Sequence, residues 1–489
     1  QPVANPDQVL QNTGALYDKG KAVLGMFEVF LGPEAFRRGV NGYLREHAWG
    51  NATARDLWSA LSRAAGRDVG AAMATFVDQP SLPLVRVEPL PGGRIALTQE
   101  RFTNAGAPAP PLAWKIPVGL KYGDGKGVRT QTVLLDSGRQ VVTLPGASAV
   151  SWVMPDLAGA GYYRWSVPEG MLAQLAAGAP AHFDARERIA FLGNLKALLD
   201  AGLVHGDTFL AAATPFAADP EPLVVAALIE RLDGVRQALV PAVLAEPFAG
   251  YVRRTFRPVL DRIGPEPRPG EEPNLAVLRT RLLLWLGGEG QDEEVIRHGE
   301  ALARRYLVSP TGIDPELATT ALSLAALHGD RALFEDYRKH FEGAGTPIDR
   351  SRYLRALPRF HDPAVAEEVL RYALSGPLRP NELLWMAGGI GSTEQGADRF
   401  FAWMRVHYEE IAKRLPPILM SALPLAAGGC SAERLELGKQ FFAAPGHSVP
   451  GTAAQLANIA DQVHDCLRLR EREGAAVAAY LTASAAAAR

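Results

Sequence analysis

A hydrolytic zinc centre needs two histidines one helical turn apart, so that both imidazoles reach one metal, and a neighbouring glutamate to deprotonate the water. None of the ten histidines in this 489-residue chain has another four positions along. The nearest approach to a cluster, His298-Gly299-Glu300, lacks a third ligand, so no metal or other cofactor is expected on this chain. A nucleophile elbow, a phosphate loop and a dinucleotide fingerprint are also missing from the sequence. Gly123-x-Gly125-x-Gly127 is glycine-rich, but no helical pattern follows it to offer an N-terminus to phosphate, so it reads as a hairpin turn. Carboxylate pairs such as Glu293-Glu294, Glu367-Glu368 and Glu409-Glu410 sit among basic residues and read as solvated helix faces. Arg468, Arg470 and Arg472 make a weak basic patch. On residues alone the chain carries no complete catalytic constellation.

The remaining chemistry-bearing residues are the two cysteines, Cys430 and Cys466. They are either two buried thiols or a disulfide stapling two late helices. The bonded form implies a periplasmic or secreted protein and the free form a cytoplasmic one. Asn51-Ala52-Thr53 has the form of a glycosylation sequon, but a loop leading into a helix explains it adequately.

The length implies roughly two to four domains. Apolar residues make up 47% and charged residues 21%, enough for a substantial core. A formal net charge of −2 gives no reason to expect nucleic acid as a partner. No stretch approaches the roughly 18–20 uninterrupted apolar residues of a membrane span. Gln1-Pro2-Val3-Ala4-Asn5 has neither the basic nor the apolar region of a signal peptide.

Residues 21–80 carry helical periodicity, first in Val23, Leu24, Phe27, Phe30 and Leu31, then in Phe36, Val40, Tyr43 and Leu44. The character changes at Pro80-Ser81-Leu82-Pro83. From Leu84 to Val167 short alternating runs are separated by turns such as Pro91-Gly92-Gly93, which predicts about seven strands and a small β-sandwich. After Pro168 helix follows helix. Asp184-Ala185-Arg186-Glu187 has capping-box spacing ahead of one of them, and a frayed helix is expected over Ala475–Arg489. The reading is a multidomain, mainly α chain: helices over 1–80, a β-sandwich over 81–167, and a HEAT/armadillo-like helical array over 168–489.

An ordered run of residues resembles the aminopeptidase N family of zinc metallopeptidases (gluzincins). It comprises Tyr17-Asp18-Lys19-Gly20, Val23-Leu24-x-Met26, Leu31-Gly32, Phe36-x-x-Gly39-Val40, Tyr43-Leu44, His47, Asn51-Ala52 and Asp56-Leu57-Trp58. Met73, Gln79 and Leu82-Pro83 continue it, then Trp114-x-Ile116-Pro117, Gly161-Tyr162-Tyr163-Arg164, Arg188 and Asp362-Pro363. The resemblance implies that residues 1–80 are the helical C-terminal part of a thermolysin-like catalytic domain. It also implies that Tyr17 donates its hydroxyl to the oxyanion of the tetrahedral intermediate, and that the helical domain encloses peptide substrates.

The family's H-E-x-x-H, its glutamate ligand and its Gly-x-Met-Glu-Asn motif would precede Tyr17 and are not in this sequence. The zinc is therefore expected on the parent enzyme and not on this chain, which should be inactive alone. Its expected partner is the missing N-terminal half of the catalytic domain. Three arrangements fit: a C-terminal piece of a longer aminopeptidase, one half of a nicked enzyme, or a free-standing scaffold that binds peptides or proteins without catalysis. The first two require an open, partly apolar surface around Ala22–Leu44, and the third requires that surface to be sealed by the chain itself.

Overall fold

The computed structural model describes residues 13–108, 110–125 and 127–486. The chain divides into two compact units between Arg231 and Leu232. The first unit opens with four helices: α1 (Thr13–Leu31), α2 (Pro33–Glu46), α3 (Ala54–Ala65) and α4 (Gly70–Val77). Helix α1 begins at least nine residues before the apolar stripe predicts it, because Thr13–Lys21 continue the helix without contributing to that stripe. Gly32, with φ of 82°, turns the chain sharply into α2. Gly39 then lets α2 touch α3, since a Cβ there would stand 2.9 Å from the Leu61 Cα.

Seven strands follow: β1 (Pro83–Leu90), β2 (Arg94–Arg101), β3 (Ile116–Gly123), β4 (Val128–Leu135), β5 (Arg139–Thr143), β6 (Trp152–Met154) and β7 (Arg164–Ser166). They form one sheet ordered β5-β2-β1-β7 and a second ordered β4-β3-β6. All pairings are antiparallel except β1 with β7. The predicted hairpin at Pro91-Gly92-Gly93 is present as a three-residue loop between the paired Leu90 and Arg94, with both glycines at positive φ. Side chains from both sheets, among them Val85, Val87, Ile95, Leu97, Val118, Leu120 and Trp165, are almost fully buried. Strand β3 is buried along most of its length because α1 packs against it as well.

The first unit then continues through α5 (Glu169–His182), α6 (Ala185–Asp200) and α7 (Gly206–Ala213), and α8 (Pro222–Leu239) runs across the division. Asp184 and Glu187 form the reciprocal capping box that their spacing predicts: the Glu187 N–H donates to Asp184 Oδ1 (2.8 Å), and the Asp184 N–H donates to Glu187 Oε2 (3.0 Å).

The second unit is helical throughout its described residues: α9 (Ala245–Ile263), α10 (Pro273–Gly288), α11 (Glu293–Val308), α12 (Pro315–Leu327), α13 (Arg331–Glu342), α14 (Pro347–Ala356), α15 (Pro363–Ser375), α16 (Pro380–Ile390), α17 (Glu394–Val406), α18 (Tyr408–Arg414), α19 (Pro417–Met420), α20 (Ala432–Ala443) and α21 (Thr452–Ala486). Consecutive helices pack as pairs, α9 on α10, α11 on α12 and α13 on α14. Arginines finish helix ends where the last carbonyls lack partners. Arg279 donates to Gly264 O (2.9 Å) beyond α9 and pairs with Glu271 (2.6 Å). Arg414 donates to the carbonyls of Ala373, Leu374, Gly376 and Leu378 at the end of α15.

One feature of the sequence reading is extended here. The Ala-rich tail belongs, as far as Ala486, to a continuous helix of 35 residues starting at Thr452. Alanines and charged residues favour helix strongly enough that the single Gly474 does not interrupt it. This helix returns to the start of the second unit, where Arg470 Nε donates to Ala238 O at 2.8 Å. Cys430 and Cys466 are bonded with Cα atoms 5.4 Å apart, closing a 36-residue separation between the loop before α20 and α21. In the chain-entropy picture a loop of that size stabilises the unit by roughly 3–4 kcal/mol.

Candidate functional site

Tyr17 lies on the second turn of α1 with 76% of its surface exposed. Its hydroxyl makes no hydrogen bond among the described residues. The opposite face of the helix is fixed. Val23, Met26 and Phe27 are buried, and Phe27 meets the ring of Phe76 edge to face at 6.4 Å. Phe76 in turn meets Tyr162 at 6.2 Å, and the Tyr162 N–H donates to Met26 Sδ at 3.4 Å. Lys19 continues this packed face toward the start of the helix, at i and i+4 with Val23. Its Nζ donates to the carbonyl of Gln79 at 3.1 Å, and burial pushes its ammonium pKa down. At about 100° per residue, Tyr17 stands roughly opposite Lys19 around the helix.

The segment joining β6 to β7 carries Gly161-Tyr162-Tyr163-Arg164 and packs under α1. Two buried carboxylates hold it. Asp156 Oδ1 accepts from the Gly161 N–H at 2.8 Å. Glu187, 1% exposed, accepts from Lys121 Nζ (2.7 Å), the Ala158 N–H (3.0 Å) and the Asp184 N–H (3.0 Å). The Tyr163 hydroxyl donates to Pro155 O at 2.7 Å. The capping box of Glu187 was legible in the sequence, whereas its contacts with Lys121 and Ala158 were not, because they join positions 66 and 29 residues apart. Asp156 had no local signal at all.

Asp156 gives a pH-dependent stability. Burial first, then the Glu187 charge, pushes its carboxyl from 3.8 up to about 7, against the opposing pull of the Gly161 N–H and Arg164. The folded chain therefore holds a proton that the unfolded chain releases between about pH 4 and 7, so stability falls as pH rises through that window. The loss attributable to this group is bounded by about 4 kcal/mol. Asp156→Asn keeps the acceptor for Gly161 and removes the charge. In urea titrations at pH 5 and pH 8, the variant should be the more stable protein at pH 8, with the difference shrinking toward pH 5.

The surface of α1–α3 carries partly exposed apolar residues. Leu24, Leu31, Phe36, Val40, Tyr43, Leu57 and Trp58 are only half-buried. Leu44 is 58% exposed, and Trp49 is fully exposed in the turn after α2. Thr53 caps α3, with the Asp56 carboxylate accepting from its N–H and hydroxyl at 2.7 Å each. Those bonds hold the Asp56 carboxyl below the usual carboxylate range. Among the described residues no three His, Cys, Asp or Glu side chains converge in a way that would hold a metal, His298 and Glu300 included.

Both ends of the chain match models of known families. Residues 2–76 match the model of the Peptidase family M1 domain, and residues 152–465 match that of the ERAP1-like C-terminal domain. The chain belongs to the M1, or aminopeptidase N, family of zinc aminopeptidases and corresponds to its C-terminal portion. It is 26% identical to the alanine/arginine aminopeptidase of Saccharomyces cerevisiae, over 98% of this chain and 56% of the relative. Aminopeptidase M1 of Arabidopsis thaliana is 25% identical over 92% of this chain and 53% of its own length. Aminopeptidase 2 of Candida albicans is 23% identical over 90% and 49%. The chain spans about half the length of the curated relatives it matches.

Proposed function

We propose that this chain is the C-terminal portion of a zinc-dependent aminopeptidase, supplying the oxyanion-binding tyrosine and a substrate-enclosing helical domain. The observation that carries the reading is Tyr17: its phenol stands exposed on a helix whose opposite face is locked to the sandwich. A phenol held in place before reaction donates a hydrogen bond to developing oxyanion charge without having to be ordered at that moment. It does not generate a nucleophile from water, and the described residues offer no metal cluster that would. The partner is the zinc-binding part of the peptidase domain, seated on the open apolar surface of Leu24, Val40, Tyr43, Leu44 and Trp49. A free-standing scaffold would have that surface covered by its own residues, whereas Leu44 and Trp49 are exposed.

The test is reconstitution. The purified chain with zinc should not hydrolyse an aminoacyl chromogenic substrate. Adding a separately produced upstream segment of the gene that encodes H-E-x-x-H should restore hydrolysis. Activity of the chain alone sinks the claim that it is incomplete. On the strength of the Cys430–Cys466 bond, the protein belongs in an oxidising compartment. Alkylation of free thiols directly in source cells, followed by mass spectrometry, tests that placement.

A further inference from the structure

We infer that Lys19 is a positioning residue for Tyr17, acting through its hydrogen bond to the backbone carbonyl of Gln79; the inference rests on the function proposed above. Lys19 lies on the packed face of α1, one helical turn before the buried Val23 and next to the turn that presents Tyr17. The 3.1 Å bond from Lys19 Nζ to Gln79 O ties this turn of the helix to the rest of the unit.

The acceptor is itself fixed. Gln79 Nε2 donates to Thr75 O (2.9 Å) at the end of α4 and to Ala113 O (3.1 Å) ahead of β3. Thr75 Oγ1 accepts from the Lys115 N–H at 3.2 Å, and Gln99 on β2 bonds both the N–H and the carbonyl of Trp114 at 2.8 Å. A hydrogen-bonded path thus runs from the sandwich to the turn of helix that presents the phenol. Because Tyr17 and Lys19 point to opposite sides of α1, the tether fixes the height and rotation of the tyrosine without touching substrate. Geometry of this kind matters to rate, since displacements near 1 Å can cost roughly 100-fold.

The experiment compares Lys19→Met, Lys19→Arg and Tyr17→Phe. In the isolated chain, amide hydrogen exchange over Tyr17–Val23 should accelerate roughly 10- to 100-fold in Lys19→Met, matching loss of a charged hydrogen bond. Lys19→Arg, which retains a donor, should stay closer to the parent, and the urea midpoint of the whole unit should move little. Unchanged exchange overturns the inference. So does a fall in global stability large enough to account for the faster exchange, since the residue would then be merely structural. In the reconstituted enzyme Lys19→Met should lower kcat with KM nearly constant, and should add little to Tyr17→Phe. A full loss in Tyr17→Phe beside normal turnover in Lys19→Met overturns the positioning role and leaves the proposed function standing. Normal turnover in Tyr17→Phe overturns the proposed function itself.

Discussion

Replacing Tyr17 by phenylalanine should lower kcat of the reconstituted aminopeptidase by about 100- to 1,000-fold, the equivalent of about 2.7–4 kcal/mol of transition-state stabilisation. On the proposed role, the size follows from what is removed: one hydrogen-bond donor aimed at charge that exists only in the transition state. For the same reason KM should change little, because an interaction absent from the ground state does not contribute to substrate binding. The phenylalanine ring preserves everything else the tyrosine does. With the side chain 76% exposed, the variant chain should unfold within about 0.5 kcal/mol of the parent. Steady-state kinetics paired with urea unfolding therefore separates catalysis from folding. A stability loss comparable to the kinetic loss would show that Tyr17 supports the fold, and an unchanged kcat would remove it from the reaction.

The second large effect concerns stability. Glu187→Ala should destabilise the first unit by about 3–5 kcal/mol, because it strands the mostly buried Lys121 ammonium without its counter-charge. Two further donors, the N–H groups of Ala158 and Asp184, lose their acceptor at the same time. Glu187→Gln should cost less, since an amide oxygen still accepts from one or two of these groups. Denaturant unfolding should resolve the order parent, Gln, Ala. If alanine falls within about 1 kcal/mol of the parent, the buried network contributes little net stability.

The two sites differ in how visible they are along the chain. Tyr17 stands out in the sequence itself, because it heads a closely spaced run from Lys19 to Trp58 whose order is specific. The capping box at Asp184 and Glu187 is equally legible, since its bonds span only three residues. The seven strands show through alternation between turn residues. What escapes detection depends on contact between distant segments. Asp156 reads as an ordinary loop aspartate until the fold buries it beneath α1 and beside Glu187. The tether from Lys19 joins residues 60 positions apart. Helix α1 begins earlier than the apolar pattern suggests, because a helix already nucleated extends through residues outside its apolar stripe. Helix α21 is longer than its pattern suggests for a related reason: its apolar stripe is sparse, and its packing on α9 and α20 holds it in place.

Local periodicity and residue order suffice to establish which segments are helix and strand, the mainly α architecture, the family resemblance and the choice of Tyr17 as the residue to watch. Other properties exist only once the chain has folded. Tyr17 faces solvent while Lys19 is tied down behind it, Asp156 and Glu187 are buried together, and the α1–α3 surface stands open. These arise from burial and from hydrogen bonds between segments brought together by folding, and no window along the chain contains both partners.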